Sequence, residues 1–166
     1  MEANEDTLRA AREACDGLSG NYAPRVVIEA LLTLTGGATP SRGIAQRVEM
    51  EGTTTWRALW LTGQQLAYVE ATKAEGDWDL ATHRHSRADA ISGWLRPLRD
   101  LSRLSVTDVS DPDRDFGAGW SWDAETALTF TDGTTVSLPL SGGLGSTRHV
   151  QAAEEFLAAV REAWTV

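Results

Sequence analysis

Residues 127–140, ALTFTDGTTVSLPL, and residues 154–164, EEFLAAVREAW, decide how the rest of the chain is read. The first stretch alternates Leu128 and Phe130, then Val136 and Leu138, around Asp132-Gly133, a pair that favours a type I′ turn, and so predicts a β-hairpin. The second, with Ala153 just before it, spaces Ala153, Phe156, Leu157, Val160 and Trp164 at threes and fours. These residues gather on one stripe of a helix, while Glu154, Glu155, Arg161 and Glu162 mostly face water. Such a helix needs a surface to lie on. A last hairpin feeding one closing helix, after many short strands, predicts an antiparallel barrel or sandwich plugged by its final helix.

Upstream of that hairpin, nearly a hundred residues carry strand signals. Residues 43–51, 54–62 (TTWRALWLT), 66–72 (LAYVEAT), a short run at 78–82, 88–96 and 101–109 are each bounded by turn chemistry. In TTWRALWLT, Trp56, Ala58 and Trp60 fall on one face and Arg57, Leu59 and Leu61 on the other, so both faces are largely apolar. One face packs in the core; the other lies under a helix or a neighbouring chain. Before the strands, Asn4 can cap a helix over residues 5–16, with Leu8, Ala11 and Cys15 aligned and Gly17 as the stop. Pro24, Gly36-Gly37 and the spacing of Arg25, Glu29 and Thr33 favour a second helix, with a strand as the alternative because of the β-branched content.

The 166 residues fit one domain, 1–166, with a helical extension at 1–37 and a core at 43–164. Mean hydropathy is -0.28, and no apolar run approaches the ~20 residues that cross a bilayer. The opening MEANEDTLRAAREAC is acidic where an export signal is cationic, so the expected location is cytoplasmic. A net charge of -9 argues against nucleic acid and anionic lipid as partners. The single cysteine, Cys15, reads as a core thiol. Seven tryptophans are the compositional oddity: they fill a core or form a contact surface.

The order of six or seven meandering strands and a terminal helix, with Phe156 early in EEFLAAV, resembles the bacterial pleckstrin-homology-like (PH-like) superfold. The resemblance covers roughly residues 43–164 and implies a mainly β, α+β fold: an antiparallel sandwich of about seven strands with a C-terminal capping helix. Here the helical pair is an addition at the N terminus. Phosphoinositide-binding members carry a lysine followed by Arg-x-Arg across the first hairpin. Arg47 and Arg57 could stand for two of these three, but Leu59 replaces the last, and Glu49 and Glu51 bring the wrong charge.

Candidate sites are few. Arg96, Arg99 and Arg103 flank Pro97 and could grip an anion, or could pair with Asp100 and nearby acids. His83 and His85 would need a third ligand, such as Asp79 or His149, to hold zinc, so no metal is expected. Residues 111–122 superficially look like a calcium loop, but glycine falls at the seventh position and Trp122 at the twelfth. The glycines at 142–145 lack the lysine and spacing of a P-loop. No Gly-x-Ser-x-Gly or credible Cys-His pairing is present. The expectation is therefore a non-enzymatic protein-interaction or scaffold module without cofactor. Trp56, Trp60, Trp120 and Trp122 are its candidate contacts with a protein partner or a second copy. The alternative is a small anionic ligand or lipid headgroup held by Arg96, Arg99 and Arg103.

Overall fold

A computed structural model describes residues 5–15, 23–74, 78, 87–109, 123–140 and 147–165. Two helices, α1 (Glu5–Cys15) and α2 (Arg25–Leu34), precede β1 (Arg42–Met50), β2 (Thr53–Thr62), β3 (Gln65–Lys73) and β4 (Ala90–Pro97). A short 3₁₀ turn, Leu98–Asp100, leads to β5 (Leu101–Val109), β6 (Ala124–Phe130), β7 (Thr135–Leu138) and α3 (Thr147–Trp164). The fold is mainly β, as expected, and its strands form two antiparallel sheets in the orders β1-β2-β3-β4 and β5-β6-β7. The sheets do not close into a barrel. Of the strand expected at 78–82 only Trp78 is described, and it lies outside any strand.

Period-two alternation in the four-stranded sheet separates two cores. Its inner face carries Ile44, Leu59, Leu61 and Leu66, buried against Leu128, Phe130, Val136 and Leu138 of the second sheet and Phe156, Leu157 and Val160 of α3. The closing helix is thus a core element, and its apolar stripe faces the sheets as the spacing predicts. Trp164 is the exception, 37% exposed at the helix end.

The outer face is built from three transverse rows that the register defines: Gly43–Trp60–Ala67–Leu95, Ala45–Ala58–Val69–Gly93 and Arg47–Trp56–Ala71–Ile91. The middle row is made of small residues between two tryptophan rows, and helices pack on this face with Ala11, Cys15, Val27, Ile28, Leu31 and Leu32. At Gly93 an added Cβ would sit 2.6 Å from the Tyr68 carbonyl oxygen and 3.1 Å from Leu34 Cδ1. That strand position must therefore be bare for β3 and α2 to come so close.

The turns depart from expectation in an instructive way. At Asp132-Gly133 only Gly133 has positive φ, 87°, and its N–H donates to the Phe130 carbonyl at 2.9 Å. This is a longer loop with glycine in the left-handed position, where a type I′ turn was expected. Asp132 is not among the residues with positive φ, and its carboxylate accepts the Thr134 N–H at 3.0 Å and an arginine from β4. Among the described residues, the strand-to-strand turn with two positive φ values is Glu51-Gly52, at 42° and 82°, between β1 and β2.

Candidate functional site

Trp56 and Trp60 are fully buried, each with 0% exposure. This corrects their expected role as a contact surface: the neighbour covering the outer face is the chain's own helical pair. Each indole also has its N–H occupied. Trp56 Nε1 donates to the Trp78 carbonyl at 2.6 Å, and Trp60 Nε1 donates to Cys15 Sγ on α1. Cys15 is a buried thiol, as its place in the first helix predicts. Trp120 and Trp122, the other two expected contacts, lie outside the described residues.

Nor does the fold gather Arg96, Arg99 and Arg103 into an anion site. Arg96, on the inner face, donates from Nη1 to Asp132 Oδ2 at 2.6 Å and from Nη2 to Thr134 Oγ1 at 2.9 Å. Its guanidinium lies 5.2 Å from the Trp94 ring centroid and 5.3 Å from that of Phe130. Trp94 in turn stacks on Tyr68 and meets Phe130 edge-on. Arg96 is thus a seam between β4 and the β6–β7 turn, held by charge-assisted bonds and cation–π contact. Arg99 projects from the 3₁₀ turn, 3.9 Å from Asp100 and largely exposed. Arg103 pairs in register with Thr129, on the solvent face of the second sheet. Arg47 and Arg57 are separated too. Arg47 is opposite Trp56 on the outer face and pairs with Glu49, whereas Arg57 is on the inner face, so no shared headgroup can bridge them.

Along the inner face the row Gln46–Arg57–Glu70–Ser92 is polar. Glu70 Oε2 accepts from Arg57 Nε at 2.8 Å and from the Tyr68 hydroxyl at 3.0 Å, and Arg57 Nη1 reaches the Leu140 carbonyl at 3.1 Å. Burial, and then the charge and hydrogen bond of Glu70, push the Tyr68 phenol above its usual range, so it stays a donor at ordinary pH. With Arg57 and Glu70 each more than a third exposed, their pairing adds little energy. Its work is positional: it ties β2 and β3 to the segment after β7.

Among the described residues the exposed large apolar side chains are Ile91 (48%), Val106 (60%), Val109 (52%) and Trp164. The first three lie on β4 and β5, the strands that end their respective sheets. The β5–β6 register pairs Leu104 with Leu128, Val106 with Thr126 and Val109 with Ala124, with a shift between Val106 and Asp108. The shift keeps Val106 and Val109 on the face of Leu104, extending the apolar row beyond the part that the core covers.

The sequence held a signal for this surface. LSRLSVTDV spreads Leu101, Leu104, Val106 and Val109 along the whole strand, so its apolar residues run to its last position.

His83, His85, Asp79 and the calcium-like stretch 111–122 lie outside the described residues, as does the glycine run 142–145. Among the described residues no group of three or more His, Cys, Asp or Glu side chains is placed to hold a metal. No described helix is long and apolar enough to cross a membrane. Compared with protein-family models, with curated proteins and with solved structures, the chain matches none.

Proposed function

We propose that the protein is a non-enzymatic interaction module on a PH-like plan, and that β5 receives an extended segment of a partner protein as an added strand. The observation that carries the reading is the bareness of β5: residues 106–109 are exposed, with Val106 and Val109 the two most exposed large apolar side chains among the described residues. A terminal strand offers unpaired N–H and C=O groups, and strands that must stay alone are usually blunted by lysine or proline. β5 contains neither, and its remaining guards, the charges of Arg103 and Asp108 and two register shifts, leave Val106 and Val109 uncovered. Strand addition takes affinity from the main chain and specificity from alternate side chains. The PH-like plan is supported by the division into four and three strands with a carboxy-terminal helix in the core between them.

The chemistry of the partner follows from charge. A chain of net charge -9 attracts basic segments and repels acidic ones. The expected ligand is therefore an extended, lysine- or arginine-bearing segment with aliphatic residues at alternate positions to meet Val106 and Val109. Titrating isotope-labelled protein with a synthetic alternating valine–lysine heptapeptide tests this by NMR. The expected result is amide shifts concentrated at residues 101–109, with binding weakened by Val106→Lys. Shifts confined to other strands, or binding untouched by that substitution, would remove β5 from the reading.

A further inference from the structure

The turn between β6 and β7 carries a second inference, independent of β5. Its Asp132-Gly133 pair has a chemistry of its own. No side chain on the glycine shields its amide, so the Gly133 nitrogen can attack the Asp132 Cγ and close a five-membered succinimide ring. The C–N bond forms as a carboxyl C–O bond breaks, and the hydroxyl leaves with the amide proton as water. Water then reopens the ring at either carbonyl, giving back aspartate or giving isoaspartate, whose main chain is longer by one carbon. The atoms balance without oxidant, reductant or cofactor.

The fold holds back each group that this closure needs. The Gly133 N–H donates to the Phe130 carbonyl at 2.9 Å. Asp132 Oδ1 accepts the Thr134 N–H at 3.0 Å and Oδ2 accepts Arg96 Nη1 at 2.6 Å, so both carboxylate oxygens are engaged. The neutral acid is the form that sheds a hydroxyl, and the Thr134 N–H and the Arg96 guanidinium keep this carboxyl ionised. Arg96 is fixed in turn by Thr134 Oγ1 and by the rings of Trp94 and Phe130. The Asp132 side chain is nonetheless 50% exposed, so water, the one co-reactant, reaches the turn.

We propose that Asp132-Gly133 is a guarded modification site, which isomerises to isoaspartate when Arg96 releases the carboxylate. The added main-chain carbon then shifts the carboxylate away from Arg96 and lengthens the turn beyond the register that pairs Thr129 with Thr135. The seam between β4 and the β6–β7 turn does not reclose in its original form. A transient opening is thus recorded as a covalent change.

Incubating the full chain in heavy-oxygen water at neutral pH and physiological temperature, then digesting it in ordinary water for peptide mapping by mass spectrometry, tests this. Each ring opening installs one solvent oxygen at residue 132 or its isoaspartyl product. The synthetic peptide TFTDGTT, residues 129–135, sets the unguarded rate. The folded wild type is expected to take up label about tenfold or more slowly than the peptide, the effect of a bond to a charged group. Arg96→Met, which removes that bond, is expected to label about tenfold or more faster than the wild type. Ile44→Val thins the same core by one buried methylene and leaves the turn alone, so it should keep the wild-type rate. If Arg96→Met fails to fold, Arg96→Lys takes its place, since it keeps the charge but not the fork that holds Asp132 and Thr134 together, and it too should label faster than the wild type. A wild type that labels at the peptide's rate, an Arg96 variant no faster than the wild type, or an equal acceleration in Ile44→Val would overturn the assignment.

Discussion

The two faces of the four-stranded sheet each bury a core, but the two cores are built in different ways. Its inner face is a conventional aliphatic core, Ile44, Leu59, Leu61 and Leu66 against the second sheet and α3. The outer face sets the large rings of Trp56 and Trp60 beside small residues and is covered by the helical pair. The difference teaches that an aromatic-rich strand face is not thereby a binding face. Where local helices can cover it, the chain takes its own tryptophans inside, and the large apolar side chains its strands leave exposed, among the described residues, are on β4 and β5 at the ends of the sheets.

The comparison can be broken most forcefully by emptying one core at a time. Trp56→Ala on the outer side and Phe156→Ala on the inner side are each expected to cost about 3–5 kcal/mol, since both remove fully buried rings. Because β2 contributes to both cores, either loss should move a single unfolding transition. Urea titrations followed in parallel by tryptophan fluorescence and far-UV circular dichroism should coincide in both variants. Two separated transitions in Trp56→Ala would mean that the helical pair folds apart from the sandwich.

A smaller effect sharpens the inner side, at the Arg96 seam. The Thr134 backbone N–H and the Arg96 guanidinium hold the Asp132 carboxyl below its usual range. A carboxylate whose pKa is depressed by folding stabilises the fold above its unfolded pKa, about 3.9. That contribution is lost as pH falls through the lower folded value. Acid titrations of the wild type and Asp132→Asn should therefore converge at low pH and separate above about pH 4, with the wild type more stable. Parallel curves across the whole range would show that the carboxylate is not engaged.

Much of this architecture was legible in the sequence because periodicity is local. The closing helix, the strands near 54–62, 66–72 and 101–109, and the two leading helices all follow from apolar spacing and breakers that sit within a few residues of each other. The same locality explains the failures. Alternation at Trp56 and Trp60 says that the outer face must be covered, but whether α1 and α2 or another molecule covers it is a long-range fact. Arg96 and Arg103 are near neighbours in sequence, yet the 3₁₀ turn between their strands delivers them to different sheets. Aspartate-glycine favours a tight turn, but the Asp132 carboxylate is captured by Arg96, 36 residues upstream, and the tight geometry goes to Glu51-Gly52. That β4 and β5 end their sheets among the described residues was hidden for a related reason: a sequence announces strands, while their spatial order decides which stand last.

Site-resolved hydrogen exchange of the indole N–H protons tests most directly whether the tryptophans are internal and the edges external. The Trp56 and Trp60 indole protons, bonded to the Trp78 carbonyl and to Cys15 Sγ, should be protected until the domain unfolds, while that of the exposed Trp164 should exchange at once. Rapid exchange of Trp56 and Trp60, at the rate of Trp164, would contradict the account and return the outer face to the surface of the molecule.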